Sequence, residues 1–385
     1  MFPRNDGQTS AHAWGLIILF CGFIAVLFVL FPALPKADLS REERRALEAA
    51  PRLSWRGLWD GSYERSAENY ISDHFPFRKA WLWLEAHYEL YTGRNGSNGV
   101  YAGKDGYLIE TPVPVDSARF AANLEDIRLF AESAQIPVSV MAVPSAGFVL
   151  EDFLPGSHMA YPDGSLSQTA RARLGPAVQW IDLADAFRSQ ASASPLYYKT
   201  DHHWTSRGAY LAYSEFAAAK GMTPFPEESF EITVSEGFYG TTYAKSRLWE
   251  SRPDSIELWR RPVPVQVEIQ DSGSGESIRA SSMFFEDHLN GEDPYSVFLD
   301  GNHAQVRMIN PAVDSGKLLI VKDSFAHCLA PFLAGHYREI QMIDLRYYRK
   351  NLTAQLVRET GANEVLFVYG AGGLAGDGNF VWLRE

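Results

Sequence analysis

The sequence predicts an α/β protein built on a mostly parallel five-stranded sheet, with a β-rich insertion and one apolar helix near the N-terminus. Three observations support this: short apolar strands alternate with helical segments, a block of short β segments interrupts the alternation, and an uncharged run precedes both. Such alternation is typical of parallel sheets covered by helices on both faces. A chain of 385 residues with 46% hydrophobic and 13% aromatic content can bury the core that this sheet needs.

The uncharged run covers residues 14–34. It matches the roughly 20 apolar residues that cross a bilayer as a helix and exceeds the roughly 7–15 residues of a signal-peptide core. We therefore expect residues 1–35 to form an uncleaved membrane anchor, with a cleaved signal peptide as the alternative. Only Arg4 precedes the run while Lys36, Arg41, Arg44 and Arg45 follow it, so the positive-inside rule alone places the body in the cytoplasm.

Charge and cysteine content exclude several classes of protein. The net charge of -12 and the pI near 5.4 argue against a nucleic-acid partner, which would need a basic face. The two cysteines, Cys21 and Cys328, are too few for a disulfide framework or a cysteine-based zinc site.

The remainder of the chain divides into a stalk and one large domain. Residues 36–61 are charged and predict a juxtamembrane stalk, and residues 62–385 form the body. Residues 62–92 have helical periodicity, and Asp105-Gly106 supplies the turn of a hairpin over 99–109. Helices are predicted near 116–134, 165–174 and 206–219, from 324, and over 350–360. The predicted core strands are 137–143, 177–183, 317–322, 339–343 and 364–369. The β-rich insertion covers about 225–315, including a strand over 295–299, and Gly- and Ser-rich residues 271–277 interrupt it.

Two distant segments carry the groups that acyl transfer needs. Asp201-His202-His203-Trp204 puts a carboxylate beside two imidazoles, and Ser324 follows the strand 317–322 directly. Ser324 would lie at the carboxyl end of a parallel strand, where the sites of open α/β sheets lie. Its N–H would belong to the first turn of a helix, which favours a developing oxyanion. The competing interpretation is that Asp323 or Ser324 only caps this helix.

Of the two imidazoles, His203 is predicted to be the base. In an extended segment a residue two positions beyond Asp201 shares its side, whereas His202 points away and would serve structure or substrate contact. The alternatives are a solvated loop histidine, or a metal site of Asp201, His203 and a third ligand, either His303 or His327. Adjacent histidines rarely close on one ion, so we predict neither a metal nor a cofactor.

Other polar residues are weaker candidates. Asn302 is a possible second oxyanion donor, and Tyr239-Gly240 either contacts substrate or forms an ordinary turn. Ser145 also follows a strand and is the rival nucleophile, but no helical pattern opens directly after it. A further polar cluster, formed by Asp73, His74 and Arg78, is interpreted as structural pairing.

At this point the residues resemble a known family. Thr200–Thr205 looks like the signature of the DHHW family, membrane-associated bacterial proteins similar to SGNH hydrolases and to periplasmic alginate O-acetyltransferases. The resemblance spans roughly residues 62–370. It includes the further segments Ile71–Arg78, Asn98–Leu108, Phe238–Gly240, Lys322–Phe325 and Asp344–Tyr348.

The resemblance implies an SGNH-like (flavodoxin-like) three-layer sandwich, an extracytoplasmic body against the charge count above, and O-acyl chemistry on a surface polysaccharide. In the alginate acetyltransferase relatives an Asp-x-His element precedes the catalytic serine, which carries over to Asp201, His203 and Ser324. The usual Gly-Asp-Ser of SGNH enzymes is Lys322-Asp-Ser324 here. The resemblance therefore does not identify the groups that donate hydrogen bonds to the oxyanion.

These expectations converge on a membrane-anchored O-acyltransferase, with acetyl as the expected group, acting on a cell-surface or exported polysaccharide. Such an enzyme would need acyl groups delivered by a separate membrane protein, because coenzyme A is scarce outside cells. The alternatives are a carbohydrate O-acetyl esterase and a non-catalytic protein that binds or assembles glycans.

Overall fold

The computed structural model describes residues 6–270, 277–348 and 350–384, so the predicted Gly- and Ser-rich interruption at 271–277 lies outside it except for its last residue. Contacts divide the chain into two units, Met1–Thr92 and Gly93–Glu385. The elements of the first unit are α1 (Asp6–Ala33), β1 (Leu39–Ser40), β2 (Arg45–Ala46), α2 (Trp55–Asp60), α3 (Ser62–Asp73) and α4 (Arg78–Tyr91).

Helix α1 contains the predicted apolar run. Its residues His12–Ala33 are long and apolar enough to cross a membrane, a property that signal sequences share. Later in the same unit, the polar cluster predicted around Asp73 contains an ion pair. Arg45 Nη1 donates to Asp73 Oδ2 over 2.9 Å, and the same oxygen accepts the Glu48 N–H over 2.9 Å.

The second unit holds the large sheet and most of the helices. Its strands are β3 (Gly96–Ser97), β4 (Val100–Ala102), β5 (Leu108–Glu110), β6 (Val138–Val143), β7 (Gln179–Ile181), β8 (Glu231–Phe238), β9 (Asp254–Arg260), β10 (Gln266–Gln270), β11 (Ser277–Ala280), β12 (Gln305–Ile309), β13 (Lys317–Lys322), β14 (Glu339–Ile343) and β15 (Glu364–Gly370). Its helices are α5 (Ser117–Ala134), α6 (Ala146–Val149), α7 (Asp163–Leu174), α8 (Ala184–Gln190), α9 (Ser206–Ala219), α10 (Thr241–Ser246), α11 (Phe325–Leu333), α12 (Leu345–Tyr348), α13 (Ala354–Thr360) and α14 (Ala371–Gly376).

The large sheet has the order β11-β10-β12-β14-β13-β15-β6-β7. The five predicted strands are its contiguous parallel part, β14-β13-β15-β6-β7, which confirms a mixed α/β fold on a mostly parallel sheet. Within the described ranges the sheet has eight strands rather than five, because β12, β10 and β11 of the insertion extend it antiparallel from β14. Strands β8 and β9 form a separate hairpin.

Alternate residues of β13 face opposite sides of the sheet. Leu318 and Ile320 pack into one buried cluster with residues of α9 and α11, while Leu319 and Val321 pack into another with residues of α5. Both faces of this strand are therefore buried, as its continuous apolar run predicts.

Two local expectations are wrong. Residues 295–299 do not form a strand: Pro294–Val297 is a 3-10 turn, which proline at its first position favours, and Phe298 makes one isolated bridge with Phe284. A short helix, Ala146–Val149, does open directly after Ser145. At four residues it is too short to give a periodic sequence pattern.

Candidate active site

Ser324 lies in the link between β13 and α11. Asp323, the residue before it, performs the capping: its Oδ1 accepts the Phe325 N–H over 3.0 Å and its Oδ2 accepts the Gly370 N–H over 2.8 Å. The Ser324 side chain makes no capping hydrogen bond. The cap interpretation therefore applies to Asp323, and the Ser324 hydroxyl is left for another partner.

That partner is His203. Ser324 Oγ lies 2.7 Å from His203 Nε2, and His203 Nδ1 lies 2.6 Å from Asp201 Oδ1. Because an ionised carboxylate can only accept, the Nδ1–H donates to Asp201, and Nε2 is left to accept from the Ser324 hydroxyl. Asp201 and His203 are buried, with side-chain exposures of 1% and 7%.

The segment 201–203 is bent rather than extended. The His203 N–H donates to Asp201 Oδ1 over 2.8 Å, a local turn that brings ring and carboxylate together. The choice of His203 over His202 thus agrees with the distances, but the extended backbone from which it was argued is not present.

The other oxygen of Asp201 is held by residues 240–241. Thr241 donates to Asp201 Oδ2 from its N–H over 2.7 Å and from its Oγ1 over 3.0 Å. A Cβ added to Gly240 would lie 2.2 Å from the Asp201 Cβ. Glycine is required there for space, so Gly240 bears on the orientation of Asp201.

Burial and neighbouring charges set the ionisation of this pair. Burial opposes ionisation of Asp201, but the His203 and His202 imidazoles and the hydrogen bonds it accepts hold the pKa of its carboxyl well below its usual range. Burial, reinforced by His202, lowers the pKa of His203 to about 4 against the opposing effect of Asp201. At neutral pH the arrangement is an ionised Asp201 beside a neutral His203, the state that a general base needs.

An aromatic ring fixes the plane of the His203 imidazole. Tyr295 stacks on it with 3.9 Å between ring centroids and 9° between planes, and Phe325 approaches its edge at 5.1 Å. Tyr295 is buried, and its hydroxyl has no hydrogen-bond partner within the described ranges. No local sequence pattern indicates this contact, because it joins rings that are 92 positions apart in the chain.

A cleft of about 370 Å³ opens beside Ser324. His202, Phe325, Ser145 and Arg346 contribute to its lining. His202 is one-third exposed, and its Nδ1 lies 2.6 Å from Thr241 Oγ1. Ser145 differs from Ser324 in its main chain: its N–H donates to Asp163 Oδ1 over 2.7 Å, whereas the Ser324 N–H has no acceptor in the described part of the chain.

The remaining candidates lie elsewhere. The described lining of the cleft includes neither Asn302 nor Tyr239. Asn302 Oδ1 accepts from Arg346 Nη2 over 3.2 Å, and the Tyr239 ring packs against Tyr243. His303 contacts Asp300.

A metal ion bound beside Asp201 would have few side chains available as ligands. Single ligand atoms of Asp201, His202 and His203 lie within 4.8 Å of one another. His303 bonds to Asp300 and His327 to Lys322, so the predicted third ligands are engaged with other partners. The His203 and Asp201 atoms that could coordinate are hydrogen-bonded to each other in the arrangement described above.

Arg346 is a site residue that sequence reasoning missed, although it lies in a segment of the family resemblance. Its Nε donates to Asp344 Oδ1 over 2.9 Å and its Nη2 to Asp344 Oδ2 over 2.7 Å. Lys322 Nζ reaches Asp344 Oδ2 over 3.1 Å, and both of those side chains are fully buried. Lys322, which stands where SGNH enzymes usually have glycine, thus joins the ends of β13 and β14 and supports the arginine of the cleft.

Comparison with known proteins finds one family model and several similar structures. A model of the DHHW protein family matches residues 173–343, and the resemblance inferred from the motifs is confirmed. A DHHW family protein from Eubacterium siraeum has a similar structure, with 22% identity, a TM-score of 0.65, and coverage of 75% of this chain and 97% of that one. PatB1 from Bacillus cereus, solved with a sulfonyl adduct, is similar at 20% identity and a TM-score of 0.62, covering 73% and 97%.

Among curated proteins, a probable alginate O-acetylase AlgJ from Pseudomonas syringae pv. tomato is 23% identical over 239 residues. The match covers 58% of this chain, which spans 60% of the length of that relative.

Proposed function

We propose that this chain, whose residues 173–343 match the DHHW family, is a membrane-anchored SGNH-like O-acyltransferase with a three-layer fold. It transfers acetyl groups to a cell-surface or exported polysaccharide. The observation that carries the proposal is the continuous hydrogen-bonded line from Ser324 Oγ through His203 to the Asp201 carboxylate. The similarity to a relative named as a probable alginate O-acetylase supports acetyl as the acyl group and a polysaccharide as the class of acceptor.

In the proposed mechanism His203 Nε2 takes the proton of Ser324 Oγ as that oxygen attacks the acyl carbonyl. Asp201 stabilises the imidazolium that forms. The Ser324 N–H, at the start of α11, donates to the tetrahedral oxyanion. The imidazolium then gives its proton to the leaving alcohol, and an acyl ester on Ser324 remains.

The second half of the reaction reverses these roles. His203 Nε2 accepts the proton of a sugar hydroxyl, which attacks the acyl-Ser324 carbonyl and releases Ser324 with its proton returned by His203. If water takes the place of the sugar, the same site is an esterase. Exclusion of water by a bound acceptor decides between the two outcomes.

The proposed location follows from the substrate. Helix α1 would anchor the chain in the cell membrane, with the body outside the cytoplasm where exported polysaccharide is reached. This orientation runs against the count of Lys and Arg around the helix. Outside the cell an acyl donor has to come from another membrane protein, which is the partner that the proposal requires.

The experiment uses the full chain with 4-nitrophenyl acetate as acyl donor, with and without polysaccharide. We expect wild type to release 4-nitrophenol and, with a suitable acceptor present, to place acetyl on the glycan instead of releasing acetate. Ser324→Ala should do neither. If wild type releases acetate in the presence of every polysaccharide tested and places none on the glycan, the protein is an esterase. A Ser324→Ala chain that restores full function in cells would show that the protein acts by binding glycan without catalysis.

The dependence of the rate on pH is a separate prediction. Because burial lowers the pKa of His203 to about 4, the imidazole is neutral and able to accept a proton above that pH. We expect kcat/KM for the small ester to be level from about pH 5 to 8 and to fall about tenfold per unit below pH 4. Circular dichroism at each pH separates titration from unfolding. A midpoint near the ordinary histidine value would show that Asp201 outweighs burial.

A further inference from the structure

A second cavity adjoins the cleft of Ser324. It also has a volume of about 370 Å³, within the range of small-ligand sites. Pro144, Asp163, Leu166 and Ala371 line both spaces, so the two are neighbours that share a wall.

The lining of the second cavity has the composition of a carbohydrate site. Trp180, on the edge strand β7, and Phe148 offer aromatic surface. Gln168, Arg171 and Asp185 supply hydrogen-bonding groups on exposed side chains. A few polar groups placed beside aromatic rings give both area and orientation to a ligand with an apolar face and hydroxyl edges.

The charge of both spaces argues against an acidic polymer. Each arginine in the described lining is already paired with a carboxylate: Arg171 with Asp182, and Arg346 with Asp344. Asp116 and Asp185 add negative charge without a cation beside them in the described ion pairs, and the chain carries a net charge of -12. In the second cavity, where Asp182 and Asp185 stand beside Arg171, a carboxylate on each sugar would meet an excess of negative charge.

From these observations we infer that the two spaces form one glycan-binding groove, and that its ligand is a polysaccharide without carboxylates, either neutral or amino-bearing. This inference rests on the proposed function for the identity of the reacting unit. It differs from what the name of the alginate O-acetylase relative would suggest, because alginate is a polyuronate.

Calorimetric binding of three sets of oligosaccharides tests this, with full-length Ser324→Ala protein so that no chemistry intervenes. The probes are cello-oligosaccharides, chitosan oligosaccharides and oligo-alginates of equal, graded length. We expect affinity for a neutral or amino-bearing set to rise with length. Oligo-alginate should bind at least about tenfold more weakly.

Variants locate the binding. Trp180→Ala should weaken affinity at least about tenfold and Trp180→Phe less, while Trp382→Ala should leave it unchanged. Trp382 is the matched control because it packs against the same core cluster as Trp180 but lines neither cavity. Gln168→Ala, on an exposed side chain, should also weaken binding without risk to folding. Asp185→Asn should improve binding of oligo-alginate by about two- to fivefold.

The inference is overturned if oligo-alginate binds as tightly as the other sets, if no set binds, or if binding survives both Trp180→Ala and Gln168→Ala. Turnover of 4-nitrophenyl acetate is measured with the same variants made in protein that retains Ser324. Because this small ester needs no bound glycan, its turnover reports on the reacting groups alone. Loss of that turnover in wild type would count against the proposed function, whereas glycan binding is measured independently of it.

Discussion

Asp201→Asn should lower kcat for a small ester by about 10⁴-fold while the protein stays folded. The neutral amide cannot stabilise the imidazolium. Its NH2 group can also donate to Nδ1 and so favour the tautomer that carries its proton on Nε2, where it cannot accept from Ser324. Asp201 has no role in contacting the bulk of a substrate, so KM should change little. The measurement is kcat and KM near neutral pH, where His203 is neutral.

The matched control is Asp254→Asn. Asp254 is a carboxylate of the same region whose oxygens accept from Lys199 N–H over 2.9 Å and Thr200 N–H over 2.8 Å. It orders the loop that carries Asp201 without contacting the imidazole. We expect it to reduce stability but to reduce kcat far less than Asp201→Asn does. Equal rate losses in the two variants would mean that loop order, and not the carboxylate on His203, controls the reaction.

The second large effect concerns stability. Asp344→Ala should lower the free energy of unfolding by about 3–5 kcal/mol, because it leaves the fully buried Lys322 without its carboxylate partner. Burial already lowers the pKa of Lys322, and the Asp344 carboxylate is the largest influence that opposes that shift. Urea denaturation followed by circular dichroism measures the change.

Two comparisons make this result specific. Lys322→Met combined with Asp344→Ala should recover most of the loss, since no buried charge is then left unpaired. Glu132→Ala, which removes an exposed carboxylate paired with Arg128, should have no measurable effect. If Asp344→Ala also left the free energy of unfolding unchanged, the contacts of Asp344 with Lys322 and Arg346 would contribute nothing to stability.

The dependence of this difference on pH has a definite sign. Although burial opposes ionisation, hydrogen bonds from Arg346 and the charge of Lys322 hold the pKa of Asp344 below its usual value. Its contribution is therefore present above the unfolded pKa, about 3.9, and is lost as pH falls through the folded pKa. As pH falls below about 4, the gap between wild type and Asp344→Ala should therefore shrink, because Asp344 becomes protonated in the wild-type protein.

The sequence predicted the parallel part of the sheet because those strands are buried on both faces. Strands such as Leu318–Val321 are continuous apolar runs between helices, and local pattern suffices to find them. The order in which β10, β11 and β12 join the sheet was beyond prediction. Their pairing is antiparallel and depends on contacts between distant segments, and a local sequence pattern contains no information about such contacts.

The candidate site shows the same limit. Asp201, His203 and Ser324 could be named because each has a residue type suited to its chemistry and lies at the end of an element. Tyr295 and Arg346 could not, since one acts through ring stacking and the other through a buried carboxylate, and neither contact leaves a trace in spacing. Asn302 was named for its amide group, but that group bonds Arg346 through its oxygen.

Labelling by a fluorophosphonate or sulfonyl fluoride, read by intact mass and peptide mapping, tests the role of Ser324 most directly. The account predicts one adduct on wild-type protein, located at Ser324, the same adduct at a similar rate on Ser145→Ala, and none on Ser324→Ala. An adduct mapped to Ser145, or undiminished labelling of Ser324→Ala, would contradict it.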